Sequence, residues 1–302
     1  MNKIIQHRPL FIFISALIIL AGLASLLIFG LKPGIDFSSG SILTVKFDQT
    51  ISIDELTQEL RSLGHNEAIV QITGDGDYLI RTTELDVSQK VSLETSLEET
   101  FGNLTERGFE NVDPLIAKQT TQMALIAVGA ALVGILLYVT WAFRRMPKPF
   151  HYGTCAVIAL FHDALVVLGI FALLAGIFGW EINLMFVIGI MAVIGYSINN
   201  TVVVFDRIRE NQLKGIHPSF EVIVNQSIME TIVRSINSSF TVIITVVALM
   251  LFLGASIQNL SIVMLIGLIA GTYDSLFVAP SLLVTWENGD WGKLLKPFKK
   301  LN

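Results

Sequence analysis

Cysteine is almost absent from this chain of 302 residues: only Cys155 occurs, inside an apolar stretch. An intramolecular disulfide is therefore excluded, and without a Cys/His grouping no metal site is expected. Charge is scarce too, with Asp, Glu, Lys and Arg at 15% of the chain, against about 25% in a soluble domain. No basic stripe interleaved with aromatics occurs, so nucleic acid is not an expected partner. Nucleophile–base pairs and glycine-rich phosphate loops are missing, so neither an enzyme nor a cofactor is expected.

What fills the chain instead is apolar, 53% of it. Six runs reach the length of about 20 residues that a bilayer requires: 9–31, 121–143, 153–180, 182–205, 235–258 and 259–286. The first is longer than the 7–15-residue core of a signal peptide and reads as a retained helix. Basic residues set the orientation. Lys3, Arg8, Arg144, Arg145, Lys148, Arg207, Arg209, Lys214, Lys293, Lys296, Lys299 and Lys300 fall on one side if both termini are inside. The turns near 178–182 and 254–259 carry no Lys or Arg.

Between the first two spans, residues 32–119 hold 16 Asp/Glu against 7 Lys/Arg. "SILTVKF" (41–47) alternates as a strand does. "ISIDELTQELRSLG" (51–64) reads as a helix, with Ser52 and Glu55 spaced for a capping box. "EAIVQIT" and "YLIRTTE" flank "GDGD" (74–77), a hairpin signal. "VSQKVSLETSLEETFG" (87–102) reads as a second helix and "GFENV" (108–112) as a last strand. The β-α-β-β-α-β order is ferredoxin-like. The expected fold is thus an α-helical polytopic membrane protein, with six transmembrane helices and one small α+β ferredoxin-like extracytoplasmic domain. Its parts are 1–31 (N-terminus and first helix), 32–119 (outer domain), 120–286 (helices two to six) and 287–302 (a basic cytoplasmic tail).

Ionisable groups inside a bilayer are costly and mark function by default. His162 and Asp163 fall within the third span, Asp274 within the sixth, and Arg234 opens the fifth. Asn199, Asn200 and Asn237 add amides, and Ser197, Ser238 and Ser239 add hydroxyls. Interhelical hydrogen bonding is the plain alternative for the neutral groups. Asp206, Arg207, Arg209 and Glu210 carry the fourth helix out into water. Gly267 and Gly271 form a GxxxG step, and Ala130 and Gly134 a similar one, both suited to close helix approach. Counted from the helix ends at 1.5 Å per residue, Asn200 and Asp274 lie at different depths.

"GYSINNTVVVFDRIREN" (195–211) closely resembles the fourth-helix signature of the SecD/SecF family, within the resistance-nodulation-division superfamily, on its SecF side. "GIDFSSGS" (34–41), "ENVDPLIAKQ" (110–119), "LFHD" (160–163), "ETIVRSINSSFTV" (230–242) and "GTYDSLFVAPSLL" (271–283) match further family segments in order. The resemblance implies a bacterial plasma-membrane subunit with cytoplasmic termini. It implies work beside SecD and the Sec channel (SecY, SecE, SecG), with YajC and YidC as further partners. Unfolded exported polypeptides would be the cargo and the proton-motive force the energy source.

It also implies an acid and an arginine on the proton path. Arg234 matches the arginine, but Asn200 stands where the family has Asp, and an amide does not exchange protons near neutral pH. Conversely, Asp274 replaces a serine. Three arrangements follow: the partner's carboxylate suffices, Asp274 compensates, or export proceeds without proton coupling. Ser38 and Ser39 replace Thr-Gly, and Asp113 replaces a glycine. Two rival readings are a half-size superfamily exporter of small molecules or lipids, and a non-transporting structural subunit.

Overall fold

The computed structural model describes residues 4–73, 76–215, 217–253 and 257–294. Gly74 and Asp75 of the expected hairpin turn, residues 254–256 of an expected outer turn, and the lysines from 296 onward lie outside the described residues. The chain divides into two compact units, Pro33–Ile126 and the remainder.

The first unit holds α2 (Ile35–Ser38), β1 (Gly40–Phe47), α3 (Ile53–Ser62), β2 (Ile69–Ile72), β3 (Tyr78–Thr82), α4 (Val87–Phe101) and β4 (Leu104–Val112). The four strands form one antiparallel sheet in the order β2-β3-β1-β4, the split arrangement expected of the ferredoxin-like order. Ser52 and Glu55 form the expected capping box, and Asp86 with Gln89 forms a second at α4. Leu43, Val45, Leu56, Leu60, Ile80 and Leu97 make a fully buried core. The last strand starts earlier than its apolar pattern suggests, at Leu104. Its pairing with β1 slips between Thr44 and Val45, where the partners jump from Gly108 to Glu106. A bulge of this kind breaks the alternation that a sequence pattern needs.

Ser39 follows α2 with φ 64° and ψ 171°, a region that is essentially glycine's own. Gly40 beside it has φ 120°, and a Cβ there would lie 2.6 Å from the Thr82 carbonyl oxygen. Asp113 has a local use: its carboxylate accepts the Leu115 N–H at 2.6 Å, capping the helix that begins at Pro114.

The second unit is helical. Among the described residues, six stretches are long and apolar enough to span a bilayer. They are α1 (Arg8–Phe29) with the turn before it, α5 (Pro114–Ala142), α6 (Pro149–Phe178), α7 (Leu184–Leu213), α8 (Phe220–Leu253), and a composite of α9 (Gln258–Tyr273) and α10 (Ala279–Asn288). A short α11 (Trp291–Leu294) follows. The chain is thus a multi-pass membrane protein. α6, α7 and α9–α10 are central, whereas α1, α5 and α8 bury little of their surface. α1 meets α6 where Gly22 faces Gly169, and a Cβ on Gly169 would lie 2.3 Å from the Gly22 Cα. Small residues let two backbones approach this closely. Arg8 binds Glu221 at 2.6 Å and Asp290 at 3.0 Å, and Lys148 binds Glu287 at 3.2 Å. The starts of α1, α6 and α8 and the end of α10 therefore share one end of the bundle.

Candidate functional site

α6 supplies two consecutive polar side chains, His162 and Asp163, both turned inward. α7 presents Ser197, whose hydroxyl donates to Asp163 Oδ2. α9 lies close against α7 because Gly267 and Gly271 face it. A Cβ on Gly267 would lie 2.2 Å from a Val193 methyl, and one on Gly271 3.0 Å from the Ser197 Cβ. The first GxxxG step is thus in use; Gly134 of the other faces nothing within 4 Å.

Just after α9, the backbone widens into a π turn over Asp274–Val278, with the Ala279 N–H reaching the Asp274 carbonyl. Pro280 has no N–H to give the Leu276 carbonyl, so an ordinary α turn loses a bond here. Asp274 opens this turn and points at the α6 pair. His162 Nδ1 lies 3.3 Å from Asp163 Oδ1 and 3.6 Å from Asp274 Oδ1. One ligand atom from each of the three residues lies within 4.8 Å of the others. Asp274 is 0% exposed, Asp163 1% and His162 6%. Both Asp274 oxygens and His162 Nε2 have no hydrogen-bond partner among the described residues.

Asp274 joins the α6 pair only through the tertiary fold, so spacing along the chain concealed the grouping. The expected difference in depth between Asn200 and Asp274 is corrected. Ser275 receives a hydrogen bond from Thr201 at 3.1 Å, so the residues after Asn200 and Asp274 stand level. The count from the helix end misled because α10 runs on to Asn288, with Trp286 stacked on His151 at the start of α6.

Asn200 belongs to a separate network. Its amide donates to Ser239 on α8 at 3.2 Å, and Thr272 on α9 donates to the same hydroxyl at 2.6 Å. Three helices are tied at one oxygen. Sequence reading noted Ser239 but missed Thr272 and Ser275; their signal is a hydroxyl next to or near an intramembrane acid.

Arg234 and Asn237 face outward on α8 beside exposed Val233, Ile236 and Phe240. Arg234 has no hydrogen-bond or ion-pair partner among the described residues, so it does not meet Asn200. Asn199 also faces outward, at a groove of about 520 Å³ lined by Gly134, Tyr138 and Gly195. At the end of α7, Asp206 pairs with Arg209, and Arg207 with Glu210 and Glu230, each at 2.5 Å. Asn211 bonds Ser227 at 3.0 Å and Glu230 at 2.9 Å. These contacts fix α7 to α8.

The chain matches the family described as "Protein export membrane protein SecD/SecF, C-terminal" over residues 92–289, and the "SecD/SecF GG Motif" over residues 24–51. It is 42% identical to the protein translocase subunit SecF of Thermobaculum terrenum, across 98% of this chain and 97% of that one. It is 32% identical to the protein translocase subunit SecDF of Bacillus subtilis, covering 95% of this chain but 38% of that protein. The crystal structure of SecDF from Thermus thermophilus, a translocon-associated membrane protein, superposes with a TM-score of 0.83 at 28% identity. It covers 95% of this chain and 39% of that one.

Proposed function

The chain belongs to the SecD/SecF family of protein-export membrane proteins, and on that premise we propose that it is the SecF-type half of a two-part export complex. Its role is to assist the passage of exported polypeptides through the Sec channel. The observation that carries this reading is the uneven coverage of the fused relatives. Nearly all of this chain aligns within SecDF, while more than half of SecDF is left over. That remainder corresponds to a partner, a SecD-type protein.

The outward face of α8 is where the partner docks in this reading. An arginine without a counter-charge at bilayer depth is costly, and Arg234 sits among exposed apolar side chains. A carboxylate from a second helix bundle satisfies it. Basic residues gather at one bundle end: Arg8 and Lys148 are joined there through acids at the α8 and α10 termini. With that end cytoplasmic, residues 32–119 lie outside the plasma membrane. SecY, SecE and SecG, with YajC and YidC, are the wider set of partners. The complex draws on the proton-motive force, and Asn200 takes no part in proton transfer. Nothing in this reading calls for an enzymatic reaction.

Co-expression with the SecD-type protein of the same source, followed by affinity purification, tests the assignment. A stable pair that stimulates export in proteoliposomes is expected, with Arg234→Glu weakening co-elution. A solitary protein that moves small solutes overturns it.

A further inference from the structure

We propose that Asp274, Asp163 and His162 form a proton-holding site within this chain. The inference rests on the proton-driven export reading and gives it an acid in place of Asn200. The three side chains lie within reach of one another in the interior, and Asp274 has no donor to either oxygen among the described residues. His162 Nε2 is likewise without a partner although the ring is buried. Asp274 also opens a π turn, a distortion that recurs at functional positions of helices.

Two ionised carboxylates in an apolar interior repel each other and each costs several kcal/mol to desolvate; Asp163 is offset by Ser197 and His162, whereas Asp274 has no donor among the described residues. A positive charge between them relieves both. A structural zinc takes four protein ligands, a catalytic zinc three and a water, and magnesium six, mostly oxygen. Here three side chains converge, and the Ser197 hydroxyl is already given to Asp163. The far side of Asp163 is closed by α9, where a Cβ on Gly271 would lie 3.2 Å from Oδ2. A proton needs only a donor and an acceptor.

With Nδ1–H donated to Asp163, His162 Nε2 is an acceptor. A proton taken up at Nε2 makes the ring an imidazolium. A small turn of the ring takes its Nδ1–H from Asp163 to Asp274 Oδ1, closing a gap of 3.6 Å to hydrogen-bond distance; release of that proton leaves a neutral carboxylic acid at Asp274 and a neutral ring protonated at Nε2. An O–H bond of hydronium breaks as the Nε2–H bond forms, leaving water, and the Nδ1–H bond breaks as the Asp274 O–H bond forms. Release runs in reverse or onward from Asp274.

The surroundings contribute few other charges. α7 presents Ser197, Thr201 and Asn200, α8 presents Ser239, and α10 presents Ser281 and Thr285, none ionisable. Tyr273 has its ring 6.4 Å from His162, and its hydroxyl is bound to the Phe11 carbonyl of α1 and near Ser15. The Arg8, Glu221 and Asp290 group lies about 20 Å away along the α10 axis.

Infrared difference spectroscopy across a pH titration of the purified chain reads protonated carboxyl groups directly. Asp274→Asn is expected to remove one titrating carboxylic-acid band, while Asn237→Asp adds one without removing it. His162→Gln shifts the remaining band. In the reconstituted pair, Asp274→Asn abolishes proton uptake and Asp274→Glu restores part of it. Three results overturn the inference: an unchanged carboxyl band in Asp274→Asn, unchanged proton uptake, or a stoichiometric metal or sodium ion retained by the wild-type chain and lost in the variant. A chain that shows the band but supports no export would sink the export reading and leave the site standing. Export with no titrating band at Asp274 would do the opposite.

Discussion

In the α+β domain, Ser41 is fully buried, and its hydroxyl accepts the Leu85 N–H and donates to Asn111. Tyr78 is buried as well, and its hydroxyl both accepts the Ile51 N–H and donates to the Ile51 carbonyl. In the helix bundle, Asp274 is as deeply enclosed, yet neither of its oxygens has a donor among the described residues. The bundle also leaves Arg234 and whole apolar helix faces uncovered. Polar groups buried without partners cost more than a paired group returns. The domain satisfies these two buried hydroxyls from its own backbone and side chains, whereas the bundle leaves a buried acid without a donor and an outward arginine without a counter-charge among the described residues.

That contrast can be broken at its tightest crossing. Gly169→Leu drives a side chain into the Gly22 backbone, which has no flexible end to yield. Loss of the folded bundle is expected, more than about 3 kcal/mol, seen as early aggregation in a detergent melting series. Deleting core volume in the domain comes next: Leu60→Ala is expected to cost about 2–5 kcal/mol. Leu125→Ala, on the outward face of α5, costs under about 0.5 kcal/mol, and chemical denaturation of the two variants checks the difference.

Ser239→Ala removes the oxygen shared by Asn200 and Thr272. A loss of about 0.6–2 kcal/mol is expected, measured by unfolding in mixed micelles. Ser39→Gly goes the other way, raising domain stability by about 1 kcal/mol as the strained backbone is relieved. The smallest effect is at Asp86. The Ser88 hydroxyl and the Gln89 N–H hold its carboxyl below the ordinary value of 3.8. The capping contribution is therefore present above that value and fades as pH falls through the lowered one. Asp86→Asn should flatten this acid limb, as read by carboxyl NMR titration and melting temperature against pH.

Much of this architecture is written locally. Ser52 and Glu55 announce α3 because a cap needs only neighbouring residues, and six apolar runs announce six helices because bilayer thickness sets a length. β4 was legible only in its second half, since "LTER" lies in a bulged, mostly exposed stretch with no alternation to read. The His162–Asp163 pair could be singled out from its place in an apolar run. Its union with Asp274 could not, because it depends on two glycines bringing α9 against α7 and on a π turn that no local pattern encodes. Asn200 stands out in the sequence as an amide inside an apolar run, but its partner Ser239 lies on another helix and only the fold brings the two together.

The π turn has one more effect. It carries one residue more than an α turn, and each residue turns a helix by about 100°. The sixth span is therefore two half-helices out of phase. Gly267 and Gly271 keep their stripe on α7, while Ala279 and Leu283 bring a different stripe to the aromatic cluster around Phe143 and Phe205. Deleting one residue between 274 and 278 would restore a regular spiral and set one of these stripes wrong. The sixth span thus offers two differently aimed stripes along one helix, with the acid at the joint.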